Sequence, residues 1–150
     1  MTSTESLPLS ALYESDETAW LELMASHAEA GRYEELDLPN LSEFLSSMAK
    51  RDRREVLSRL VVLLAHLLKW DHQPERRSGS WHATILEQRR ELNNLFESGT
   101  LHEHAHAIFS AAYKSVRKEA AAETGVPRDA FPAECPWDLE TILADETSDS

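Results

Sequence analysis

Seven histidines are spread through the chain, and where they stand limits the chemistry open to it. On a helical wheel, His66 shares a narrow polar arc with Glu55, Arg59 and Lys69 on an otherwise apolar stretch. That places the imidazole at the edge of burial, where a general base is tuned, and makes His66 the catalytic candidate. Trp70 follows one turn later, and His72 and His82 stand on either side of a polar, basic loop over residues 73–79. The opposing reading is a half-buried histidine tied to a backbone carbonyl or a carboxylate. Beyond it, Arg76 and Arg77 precede Ser78, Gly79 and Ser80 at the expected start of a helix. Exposed N–H groups, hydroxyls and two guanidinium groups there form a candidate anion or phosphate pocket. Lys69, Trp70, Gln73, Ser80 and Trp81 border it, and Gln88 and Arg89 extend the surface down the following helix. The phosphate-loop pattern GxxxxGK[ST] is missing, Glu75 offers a local partner, and salt bridges to acidic helices account for the same residues.

A second group is His102, His104 and His106. His102 and His106 stand four apart on one helical face, the spacing that presents two imidazoles to one ion, while His104 points elsewhere. The segment LHEHAH does not match the HExxH zinc signature, and no third ligand can be assigned from the sequence. A diiron bundle would need a second ExxH beside Glu103 and His106, which the chain lacks. His102 and His106 are therefore kept as metal candidates while the expectation is no metal and no cofactor. Cys135, the single cysteine, has Glu134 and Pro136 as neighbours and no adjacent cation to favour a thiolate; it reads as a small hydrophobe.

These residues must be positioned by helices. Val56, Leu57, Leu60, Val61, Leu63, Leu64, Leu67, Leu68 and Trp70 cover about half the circumference of a helix, the pattern of a central element with neighbours on several sides. Pro74 ends it near Trp70 or Asp71. Ahead of it, Ser15 or Asp16 caps a first helix running to about Ala30, stopped by Gly31. Pro39 suits the first turn of a second helix, in which Leu41, Phe44, Leu45 and Met48 recur at helical period. Asp52 with Glu55 reads as a capping box dividing this helix from the central one; an uninterrupted helix over 40–71 is the competing reading. Ser78 or Ser80 caps a fourth helix, and Thr100 with Glu103 a fifth that runs to about Ala122. Pro136 then opens a short helix through Leu139, Ile142 and Leu143, with Trp137 anchoring this C-terminal strap.

No run of alternating β-branched residues occurs, so the fold class is all-α: a compact bundle of about five helices with a short C-terminal helical strap. The expected organisation is a flexible N-terminus over 1–11, a single domain over 12–144 and a disordered acidic tail over 145–150. Net charge is −12, unevenly spread: −9 over residues 1–49, +5 over 50–90 and −8 over 91–150. Such an acidic chain is not expected to bind nucleic acid or an anionic membrane. The run Leu60–Leu68 is too short to span a bilayer, and the N-terminus lacks a signal-peptide pattern, so a cytoplasmic location is expected.

Several short motifs carry a resemblance. They are Leu12-Tyr13-Glu14 with Asp16 and Trp20, Leu36-Asp37, Asn40-Leu41, Ser58-Arg59-Leu60, His66-Leu67-Leu68-Lys69-Trp70, Gln73-Pro74, Arg77, Ser80-Trp81, Thr84-Ile85, Gln88-Arg89, Phe131-Pro132 and Cys135-Pro136-Trp137. Together they resemble the bacterial family catalogued as domain of unknown function 29, over nearly the whole chain. The resemblance implies an all-helical single domain with no established activity. Many members look like having a Glu-Glu-Ile-Glu segment in the second helix; here it reads Glu43-Phe44-Leu45-Ser46, which keeps only the first carboxylate. The function expected is a non-enzymatic accessory or regulatory domain that binds a protein partner or itself. The alternative is a small hydrolase or nucleotide- or anion-binding enzyme using the cleft near His66, Trp70, Arg77 and Trp81.

Overall fold

The computed structural model describes residues 8–144; the acidic tail over 145–150 and the first seven residues lie outside the described range. Six α-helices occur in order: α1 (Leu9–Ser15), α2 (Glu17–Glu29), α3 (Leu38–His72), α4 (Gly79–Leu95), α5 (Gly99–Thr124) and α6 (Leu139–Leu143), with no strand among the described residues. The fold is all-α. The chain divides into two units, Met1–Lys50 and Arg51–Ser150.

The first unit is built around one tryptophan. Trp20 is fully buried on α2, with Tyr13 of α1 at 4.6 Å and Phe44 of α3 at 6.0 Å between ring centroids. Its Nε1 donates to Asp37 Oδ2 at 3.0 Å, and Asn40 Nδ2 donates to the same oxygen at 2.9 Å. Asp16 caps α2 by accepting from Ala19 N at 3.1 Å, and Gly31, at φ 78°, turns the chain out of the helix in a conformation that favours glycine. Helix α1 is not signalled by local sequence. Tertiary contact between Tyr13 and Trp20 makes it, and Leu9 and Leu12 are half-buried on the same helix.

Helix α3 runs unbroken for 35 residues, about 52 Å at 1.5 Å per residue. The capping box expected at Asp52 and Glu55 does not form. Glu55 instead accepts from Arg59 Nε at 2.8 Å, one turn on within the helix, and Lys50, Arg51, Arg53 and Arg54 are good helix formers on an exposed turn.

The second unit has the extended core. Val56, Leu60, Leu63, Leu64, Leu67 and Leu68 of α3 pack with Ile85 and Leu92 of α4 and with Leu101, Ala105, Ala112, Tyr113, Val116 and Ala120 of α5. Leu57, counted in the stripe from its spacing, lies at its margin and is 41% exposed. Ser78 caps α4 by accepting from Trp81 N at 3.2 Å. The fifth helix is capped by Ser98, which accepts from Leu101 N at 3.3 Å, and not by Thr100; it starts at Gly99 and ends at Gly125, φ 75°. Two expectations about the C-terminal strap change. Asp138, accepting from Thr141 N at 2.8 Å, starts α6 in place of Pro136. Trp137 packs against the core but is only partly buried, and it shares the anchoring with Phe131, Leu139 and Ile142, each at most 2% exposed. Burying each of these three stabilises the strap by about 1.5–3 kcal/mol.

Candidate functional site

The residues singled out around the basic loop are brought together only in part. His66 is half-buried on α3, where its Nδ1 lies 2.9 Å from the Val62 carbonyl. A carbonyl can only accept, so Nδ1 carries the proton and Nε2 keeps the lone pair in the neutral ring. Burial disfavours the charged form and holds the His66 pKa below its ordinary value, despite the opposing pull of the Val62 carbonyl. Among the described residues no carboxylate hydrogen-bonds or ion-pairs with His66. The groove beside it is small, about 200 Å³, and is lined by Lys69, Glu119 and Glu123 along with apolar residues. Lys69 Nζ is already paired with Glu123 at 3.1 Å and lies 5.4 Å from the Trp81 ring centroid. A base needs an orienting partner and room for a substrate; here a helix carbonyl occupies the orienting nitrogen.

The anion candidates have structural employment. Arg77 lies over the Trp70 ring, 4.9 Å from its centroid, and its Nε donates to the Trp70 carbonyl at 2.7 Å. It therefore closes the C-terminal end of α3, where carbonyls lack helical partners and a cation is favoured. His72, the last residue of α3, places Nδ1 3.0 Å from the Leu68 carbonyl one turn back along the helix. Gln73, Arg76 and Ser80 border the loop, Arg76 and Ser80 exposed and Gln73 half-buried. Gln88 and Arg89 are elsewhere. Gln88 Oε1 accepts from Arg59 Nη1 at 3.2 Å, beside an open groove lined by Arg51, Arg54 and Ser58. Arg89 is 2% exposed and donates from Nε to the Ile142 carbonyl at 2.8 Å, which pins α6 onto α4. Sequence reading placed Arg89 on a binding surface because its carbonyl partner lies 53 residues away.

A second concave region was not anticipated as a unit. A cleft of about 530 Å³ is lined by His106, Tyr113, Lys114, Cys135, Trp137 and Glu140 among others. Tyr113 donates to the Pro132 carbonyl at 2.7 Å, and burial raises its phenol pKa. Burial likewise raises the Cys135 thiol, so a thiolate is disfavoured there, in keeping with its reading as a small hydrophobe. At the rim of the cleft, His102 and His106 both place Nε2 at 3.0 Å from Glu140 Oε2. Glu140 is the residue that spacing along the chain could not connect with these two histidines.

A family model described as "Domain of unknown function DUF29" matches residues 12–147. No curated protein and no solved structure matches the chain. No helix of the described residues is long and apolar enough to cross a membrane.

Proposed function

The chain belongs to the DUF29 family, and we propose that this member is a protein-interaction domain that docks a partner on the first half of α3. The supporting observation is an apolar face left to solvent. Leu38 and Leu45 are each 60% exposed, and a separation of seven residues puts them on one side of the helix, with half-buried Leu41 and Met48 continuing the line. Tyr33, in the turn ahead of the helix, is 66% exposed. Large apolar side chains scattered singly need no account, but a row of them at helical spacing offers a hydrophobic contact surface.

The surroundings indicate the partner's chemistry. Glu34, Glu35 and Glu43 are exposed beside these residues, within a segment that carries ten acids and one base over residues 1–49. A second copy would set acid against acid at this face, which costs free energy. The occupant is therefore a different protein, one that presents apolar side chains with a basic rim. The enzyme reading has less support, since His66 lacks an orienting carboxylate among the described residues.

The test is gentle isolation of the protein from its own host, followed by native mass spectrometry of the wild type and of Leu38→Glu/Leu45→Glu. The proposal expects a stoichiometric second polypeptide with the wild type, displaced by raised salt and absent from the variant, with helicity unchanged. A wild type that arrives alone, or a partner retained equally by the variant, overturns it.

A further inference from the structure

Two imidazole nitrogens of α5 and one carboxylate of α6 converge at the surface of the second unit. His102 Nε2 and His106 Nε2 each lie 3.0 Å from Glu140 Oε2, and the three potential ligand atoms all lie within 4.8 Å of one another. A single histidine–carboxylate hydrogen bond is an ordinary surface contact. Two rings aimed at one oxygen, from adjacent turns of the same helix, constitute a donor set. We infer that His102, His106 and Glu140 bind a divalent transition-metal ion of the zinc class, which clasps α6 to α5.

The positions of the three are fixed by packing rather than by the hydrogen bonds alone. Leu101 and Ala105, each next in sequence to a ligand histidine, are 8% and 0% exposed, so the rotation of α5 about its axis is set by the core. The His102 ring lies between Phe96 and His106, with 5.0 Å between centroids on each side. Glu140 follows buried Leu139 and precedes buried Ile142, and α6 is started by the Asp138 cap. Ligands carried on rigid elements lose little freedom when an ion arrives.

Distances and ligand types point to the same class of ion. Zinc held about 2.0–2.2 Å from nitrogen and oxygen ligands sets N···O separations near 3.3 Å, close to the hydrogen-bonded arrangement. Two imidazoles with one carboxylate suit zinc and its first-row neighbours, whereas hard calcium and magnesium prefer oxygen-only shells. His106 and Glu140 also line the 530 Å³ cleft. Coordination positions that the protein leaves open are therefore accessible to water from that side.

The test uses tag-free full-length protein titrated with Zn²⁺ by calorimetry in a non-coordinating buffer, with a thermal melt beside it. One ion per chain is expected, together with a raised Tm, and neither from Mg²⁺ nor Ca²⁺. Glu140→Gln keeps a hydrogen-bond acceptor but is a poor ligand, and it should weaken Zn²⁺ binding more than about tenfold. His102→Gln/His106→Gln should abolish it, and His104→Gln should leave it unchanged. Circular dichroism establishes that each variant is folded; the side chains of His102, His106 and Glu140 are 37%, 55% and 60% exposed, so little packing is lost. Unchanged affinity in either Glu140→Gln or the double histidine variant overturns the site, as does the absence of saturable binding to the wild type.

Discussion

The two units of the chain solve the problem of burying helices differently. In Arg51–Ser150, leucines of α3 meet apolar faces of α4 and α5, and the C-terminal strap adds Phe131, Leu139 and Ile142 to one continuous core. Among the described residues of Met1–Lys50, only Trp20 and Met24 are buried, while Tyr33, Leu38 and Leu45 remain at least 60% exposed. A helical unit of that size with so small a core is marginal by area. The difference teaches where apolar surface is structural and where it is spare: the second unit uses most of its large side chains internally, and the first leaves a row of them unused.

The sharpest way to break the comparison is Trp20→Ala. It should cost the first unit about 3–5 kcal/mol, because a large buried ring is removed and Tyr13 and Phe44 lose their common neighbour. Hydrogen exchange should then show lost protection in α2, with α5 amides unchanged. In the second unit, Arg89→Ala should cost about 3 kcal/mol, combining a cavity with loss of a charged donor to the Ile142 carbonyl. Denaturant titration would measure it, and Arg89→Met should recover part of the loss through packing. A smaller effect is expected from Tyr113→Phe, about 1 kcal/mol for its bond to the Pro132 carbonyl, read by the same titration.

The units should also differ in their response to pH. Burial alone would raise the Asp37 carboxyl, yet donation from Asn40 and from Trp20 Nε1 leaves its pKa below 3.8. A depressed carboxylate stabilises the fold above its unfolded pKa, and that contribution disappears as pH falls through the folded value. Protection in the first unit should therefore drop below about pH 4 and do so less in Asp37→Asn. His66 acts in the second unit. Its folded pKa lies below 6.5, so the unfolded chain takes up the proton first, and stability falls as pH drops from 6.5 through the folded value. His66→Gln should flatten that part of the profile in a denaturant titration repeated across pH.

Much of the second unit was legible because helical period, caps and prolines agree. Ser78, Pro74 and Gly125 mark helix ends through local rules. What escaped depended on distant partners. Helix α1 exists through Tyr13 and Trp20, and Glu140 joins His102 and His106 across more than thirty residues of chain. Of the candidates around the basic loop, Arg77 lies against Trp70 but hydrogen-bonds to a helix carbonyl, and Lys69 pairs with Glu123, contacts that spacing does not reveal. The capping box at Asp52 and Glu55 failed for a local reason, since Glu55 has Arg59 one turn ahead.

The most direct test of the division between used and spare apolar surface is site-specific photocrosslinking in the host. A photoreactive phenylalanine is placed at Leu45 in one strain and at Leu86, which is 42% exposed in the second unit, in another. Crosslinks from position 45 into one second polypeptide, with none from position 86, are the predicted result. Equal crosslinking from both positions, or none from position 45, would contradict the account.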